Sequence, residues 1–375
     1  MPWGLIGMIG LMAGVERFVE RGGMDFQDVG DWAGRAVVRA ASRDAKRFDL
    51  LCFGDSQVKL GVIPRVIHER TGLTAYNLAN SGGQAPASYF LLRRALDSGA
   101  RPAAVIVNYQ TTLLSHGPRC NQGKWSAQLN PGEAARLAYW ARDPDFAARV
   151  TLGCLLPSVR CKDSVRANLL AALAGSPNDR RYGNFLLFRN WTKNDGAHLF
   201  ATDPTLKDWT DVQIHILHRG FYREWTCHPA NELAIDRFIE LAAAHGIAVY
   251  WVLPPQLPRL EAALAGTDFE ARHENFVRSR QARHPNLIVL DGRGRMKDLG
   301  GFYDAIHLSA EGANGFSRVL GNVIRATVPR GHGKPVLPAS RWIGLAECRP
   351  VALPAGLEDT RQSEFAINHR GSVTR

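Results

Sequence analysis

The run Phe48-Asp49-Leu50-Leu51-Cys52-Phe53-Gly54-Asp55-Ser56-Gln57 decides the fold. Its first part has the length and composition of a short buried strand, and a glycine, a carboxylate and a serine follow it with no spacer. In an open parallel sheet, ligands are met just beyond the carboxyl ends of the strands, where this serine falls. Four more apolar runs are of the same kind: Thr74–Leu78, Ala104–Asn108, Ile247–Leu253 and Leu287–Leu290. None alternates cleanly, which is the pattern of parallel strands covered on both faces.

Helical stretches separate these runs. Pro86–Ser98 carries proline in its first turn and stops at Gly99. Leu233–His245 places Ile235, Phe238, Ile239 and Ala242 on one face and stops at Gly246, and Ser309 precedes a last long helix running toward Val328. Strands alternating with helices predict an α/β fold, a doubly wound parallel sheet of about five strands. Three regions are expected: an apolar helical segment over 1–43, the α/β domain over 44–330, and an irregular Pro/Gly/Arg-rich tail over 331–375. After strand three the domain carries a helical insertion of about 116–228, with helical patches at Pro131–Arg142 and Ser164–Ala174 and polar loops at Ser176–Arg181 and Thr192–Ala197. It reads either as a substrate cap or as a structural appendage.

The 375 residues are 45% hydrophobic and 22% charged, as in a globular protein. The net charge of +11 comes from scattered arginines without a dense basic block, so it predicts a basic surface and no nucleic-acid partner. Six cysteines are too few for a disulfide framework. Cys154 and Cys161 are candidates to pair with each other, or with Cys120 or Cys227, if the chain is exported. Cys52 belongs to the first strand and reads as a small core residue. Pro2–Val15 is uncharged and mostly apolar, yet short of the roughly 20 residues that span a bilayer, and no basic stretch precedes it. It reads as the truncated end of a signal anchor or as a helix packed on the domain. The expectation is an exported or membrane-associated bacterial protein, close to the membrane through this segment.

A second segment supplies the chemistry. Tyr303-Asp304-Ala305-Ile306-His307-Leu308 sets a carboxylate and an imidazole three residues apart, just before the last helix. A serine hydroxyl needs an adjacent base to become a nucleophile, and that base needs a group to fix its tautomer. Ser56, His307 and Asp304 are the candidates for these three roles. An oxyanion needs donors, and the backbone N–H groups of Ser56 and Gly82 are candidates, together with a side-chain amide at the end of strand three. Arg119 and Trp125, at the start of the insertion, and Asn108 are candidate substrate contacts. Cys227-His228 lacks a second pair at ligand spacing, so no metal site is expected. Gly292-Arg293-Gly294-Arg295 reads as a loop, and Trp251, Pro254 and Pro255, at the end of strand four, read as core or as pocket lining.

Together these segments resemble the SGNH (GDSL-like) hydrolases, in which four sequence blocks supply serine, glycine, asparagine and histidine. Gly54-Asp55-Ser56 is similar to the first block, Tyr76-Asn77-Leu78-Ala79-Asn80-Ser81-Gly82 to the second, and Tyr303–Gly312 to the last. The likeness spans about 48–328 without the insertion. It implies a three-layer α/β/α, flavodoxin-like architecture, the triad Ser56, Asp304 and His307, and an oxyanion hole from Ser56, Gly82 and a third-block asparagine. The third block departs: where the family has Gly-x-Asn-Asp, this chain has Asn108-Tyr109-Gln110-Thr111, with Gln110 at the asparagine position. The resemblance implies cofactor-free hydrolysis of a small acyl ester, such as an acetyl ester on a small molecule or glycan. Two alternatives stand beside it: an O-acyltransferase acting on cell-surface glycans, and a binding protein that keeps the fold without turnover.

Overall fold

The computed structural model describes residues 3–22, 26, 29–176, 179–203, 205–206, 225–328, 338 and 340–364. The chain divides into two compact units: Met1–Val38 with Pro118–Phe188, and Arg39–Gly117 with Arg189–Arg375.

The second unit is built on a parallel sheet. Its strands are β1 (Leu50–Gly54), β2 (Ala75–Asn77), β3 (Ala104–Asn108), β4 (Ala248–Leu253), β5 (Leu287–Asp291) and β6 (Trp342–Gly344), in the order β2-β1-β3-β4-β5-β6. Every residue of β1, β3 and β4 is buried, which is why these runs are apolar without alternation. Each fully buried Leu, Ile or Phe among them contributes about 1.5–3 kcal/mol of transfer free energy. Helices cover the sheet. Helices α3 (Ser56–Gly61) and α4 (Pro64–Thr71) pack with the long helix Ala310–Thr327, while α5 (Ala85–Asp97) packs with Pro229–Ala244. The architecture is α/β with all six strands parallel. Trp251 is fully buried in β4, edge-on to Tyr109 with ring centroids 5.8 Å apart, so it is core.

The strand count of five is corrected to six. The added strand lies inside the region read as an irregular tail and pairs Trp342 with Val289, Ile343 with Leu290 and Gly344 with Asp291. Three partly exposed edge residues are too few to write a periodic pattern. Their placement comes from neighbours instead. Arg278 stacks over Trp342 at 3.9 Å, and the Arg341 guanidinium donates to the carbonyls of Gln281 and His284. Farther on, Arg189 holds Glu358 with two parallel hydrogen bonds of 2.8 and 2.6 Å, so this stretch is tied to the unit rather than trailing from it. The remainder of the expected tail, 331–337, 339 and 365–375, lies outside the described residues, as do 177–178 of the loop Ser176–Arg181 and 207–224 of the insertion.

The insertion is also divided. Residues 118–188 group with the N-terminal segment, whereas Arg189 onward returns to the sheet unit. The polar loop Thr192–Ala197 lies beside β2, where the Asn77 N–H donates to the Asp195 carbonyl at 2.9 Å. The first unit is helical. Its α1 is Trp3–Arg21 and α2 (Val29–Arg43) begins in it; α6 (Thr111–Ser115) lies before the insertion, in the sheet unit, and the insertion adds α7 (Gln122–Gln128), α8 (Pro131–Ala141), α9 (Pro144–Leu155), α10 (Pro157–Arg160), α11 (Lys162–Leu173) and α12 (Asp179–Lys193). Asn130 and Glu133 form a reciprocal capping box on α8, and Asp143 caps α9. Phe146, Leu137 and Val150 are fully buried between these helices. All six cysteines are free thiols, so none of the considered pairings is formed.

Candidate active site

The carboxyl end of β1 is a tight place. Gly54 has φ +126°, and a Cβ there would sit 2.0 Å from the Asn108 carbonyl oxygen in the neighbouring strand, so only glycine fits. Asp55 then caps α3, its Oδ1 accepting the Gln57 N–H at 2.8 Å, and Ser56 becomes the first helical residue. The second segment is locally closed as well. Asp304 Oδ1 accepts the backbone N–H groups of Ile306 and His307, each at 2.9 Å, and the Tyr303 N–H donates to the His307 carbonyl at 2.9 Å. Ser309 caps the helix that follows by accepting the Gly312 N–H. Three-residue spacing thus lets the carboxylate hold both the turn and the ring that the turn carries.

These two folded-back segments meet. His307 Nε2 lies 2.7 Å from Ser56 Oγ, and His307 Nδ1 lies 2.7 Å from Asp304 Oδ2. A carboxylate only accepts, so Nδ1 carries the proton, and Nε2 of the neutral ring accepts from the serine hydroxyl. Burial opposes the charge on Asp304, yet the hydrogen bond and charge of His307 and the two backbone N–H groups hold its carboxyl below the usual range. The imidazole is largely enclosed, at 16% side-chain exposure, so water competes weakly for its bonds.

The donors form a second set. The Ser56 N–H, at the first position of α3, has no intrahelical acceptor. Gly82 sits in the loop after β2 with φ +67°, a turn conformation suited to glycine. Gln110 follows β3 and starts α6 without using its side chain as a cap. Its backbone N–H donates to Asp55 Oδ2, so only its side-chain amide remains to serve an oxyanion.

Asn108 is placed elsewhere. Its side chain is 2% exposed, and its amide donates to Gln57 Oε1 at 2.8 Å. Gln57 Nε2 in turn donates to the Ile306 carbonyl at 3.3 Å, inside the turn that carries His307. Asn108 is thus tied, through Gln57, to the turn that carries His307. Gln57 and Asn108 also border a cavity of about 60 Å³, with Thr111, Gln256, Glu261 and His273 on its other walls. Arg119 and Trp125 are engaged within the first unit. Trp125 is 2% exposed and donates its indole N–H to the Pro118 carbonyl at 2.8 Å, while Arg119 forms a forked ion pair with Asp143. His228 caps the helix that begins at Pro229, accepting the Ala230 N–H through Nδ1, and no cluster able to hold a metal ion occurs among the described residues. Arg293 is bound to Asp291, Glu270 and Glu274 in an ion network.

Sequence reading passed over two residues. Asp55 is fully buried and spans Gln57 of α3 and Gln110 after β3; burial raises its carboxyl to about 6, against the hydrogen bonds from the Gln110 and Gln57 N–H groups and the pull of His307. Its place between Gly54 and Ser56 was the only signal it gave. Gln57 gave none, since its partners stand 51 and 249 residues away. No protein-family model matches the chain, and no curated protein matches it either.

Proposed function

We propose that this protein is a serine esterase of the SGNH type, acting on a small acyl ester, an acetyl ester of a small molecule or glycan. The observation that carries the reading is the chain of two 2.7 Å contacts from Ser56 Oγ through the His307 ring to Asp304. The strand order β2-β1-β3-β4-β5 adds to it. It is the flavodoxin-like order, whose direction reverses between β1 and β3, the strands that deliver Ser56 and Gln110.

In the proposed reaction, Ser56 Oγ attacks the ester carbonyl carbon while its proton passes to His307 Nε2. The carbonyl oxygen becomes an oxyanion facing the N–H groups of Ser56 and Gly82 and the Gln110 amide. The carbon–oxygen bond to the alcohol breaks, the imidazolium returns the proton to the departing alkoxide, and an acyl-serine remains. Water, deprotonated by the same ring, releases the acid and restores Ser56. Asp304 keeps Nδ1 protonated throughout and stabilises the imidazolium. An acyl-serine captured by a sugar hydroxyl instead of water would make the protein a transferase by the same steps.

The test treats the protein and Ser56→Ala with a fluorophosphonate, reading intact mass, and follows an aryl acetate with and without a glycan acceptor. One adduct on the natural chain and none on the variant is expected. A folded natural chain that takes no adduct would overturn the reading.

A further inference from the structure

Helix α1 exposes an apolar surface that its own unit leaves uncovered. From Trp3 to Val15 no residue is charged and every one is exposed, with Trp3 at 78% and Leu11 at 71%. At 100° per residue, the directions of Trp3, Leu5, Ile6, Met8, Ile9, Leu11, Met12, Val15 and Phe18 divide the whole circle, with no gap wider than about 60°. Val19 is the one buried residue of the helix. Contiguous exposed apolar surface of this kind marks an interaction site. A folded protein partner or a second copy would cover one stripe of such a helix; a medium that surrounds it covers all of it.

Charge points to the same kind of medium. At the far end of the apolar stretch the two acids are already engaged. Glu16 accepts from the Ser158 N–H at 2.8 Å, and Glu20 pairs with Arg160 and Arg35. Arg17 and Arg21 are exposed and have no carboxylate partner among the described residues, so that end presents unbalanced positive charge. Trp3 stands at the other end, and tryptophan favours the boundary between headgroups and acyl chains. The stretch from Trp3 to Val15 is about 20 Å long, less than the roughly 30 Å of a bilayer's hydrocarbon, and no described helix is long and apolar enough to cross a membrane.

We propose that α1 is the surface by which this protein sits on an anionic lipid membrane, its Trp3–Val15 side chains among the acyl chains and Arg17 and Arg21 at the headgroup phosphates. Long arginine side chains reach phosphates while their stems stay in apolar surroundings.

The full-length protein is to be sedimented with vesicles of phosphatidylcholine alone and with about one-third phosphatidylglycerol. The natural chain is expected to pellet with both and more completely with the anionic set. The pair Ile6→Asp and Leu11→Asp, exposed positions that leave folding intact as checked by the melting curve, should lower partitioning into either at least roughly tenfold. Arg17→Gln with Arg21→Gln should weaken binding to the anionic vesicles only. Protein that stays in the supernatant with both compositions, or aspartate variants that pellet as well as the natural chain, would overturn the proposal. So would a dimer, seen by light scattering, that Ile6→Asp dissolves, because a second copy would then be the occupant.

Discussion

The Gln57 side chain links Asn108 at the end of β3 to the carbonyl of Ile306, accepting from the one at 2.8 Å and donating to the other at 3.3 Å. The residue beside Ser56 therefore braces the turn that carries His307. Ser56 and His307 come from opposite ends of the sheet unit's sequence, and their 2.7 Å contact depends on that turn keeping its place. Asp55 supplies the complementary brace, since its carboxylate ties the start of α3 to Gln110.

Gln57→Leu tests the first brace. The variant leaves the Asn108 amide and the Ile306 carbonyl without their partner, at about 1–3 kcal/mol of stability for a buried polar group. A shift of the base of about 1 Å can cost on the order of 100-fold in rate. We expect kcat for an aryl acetate to fall roughly 10- to 100-fold while fluorophosphonate still labels Ser56, more slowly. A packing role alone would lower the melting temperature and leave the rate and its pH profile where they were.

Gln110→Ala tests the proposed third oxyanion donor. The Gln110 N–H is committed to Asp55, so the side-chain amide is all that this residue can offer the intermediate. Removing such a donor typically costs roughly 100- to 1,000-fold in kcat. Gln110→Glu, which has the same length but brings negative charge to a developing anion, should be slower than the alanine variant. Equal rates for the natural chain and Gln110→Ala would assign the residue to the start of α6.

How far the sequence foretells this arrangement depends on the range of the forces that set each part. Where a strand is covered on both faces, burial writes itself into every residue, and Ala104–Asn108 coincides with β3 to the residue. The last helix is equally legible: it begins right after Ser309 and runs to Thr327. The Ser56–His307–Asp304 contacts are legible because Gly54-Asp55-Ser56 and Asp304-x-x-His307 are each stereochemically closed over a few residues. Long-range placement is what stays hidden. β6 is held by Arg278 and Arg341 from elsewhere in the chain, and the grouping of 118–188 with the N-terminal segment leaves no local mark. Asn108 looks like a site residue because it ends a central strand; its amide is claimed by Gln57, a partner only the folded chain supplies.

Lys59, three residues past Ser56, gives a prediction about stability. It is 1% exposed, its Nζ has no hydrogen-bond partner among the described residues, and it lies 5.3 Å from the centre of the Trp191 ring. Burial disfavours the ammonium and lowers its pKa from 10.5 to about 7. Nearby His198 is also buried and held well below its ordinary value, by burial and by the charge of Lys59. Between about pH 7 and 10.5 the unfolded chain holds the lysine proton and the folded chain releases it, so this group makes folding more favourable as pH rises across that window. Below about 7 both states are protonated, and the full penalty of a buried charge remains. Buried thiols and phenols such as Cys52 and Tyr109, whose pKa values burial raises, act in the opposite direction at high pH, so the comparison has to be between two proteins that share them. Lys59→Met keeps the length and the contact with Trp191 while removing the charge. Its melting temperature should exceed that of the natural chain at pH 7, and the difference should shrink steadily toward pH 10. A variant that melts lower at pH 7, or a difference that does not change with pH, would mean that the ammonium has found a partner in solution and is not a buried, uncompensated charge.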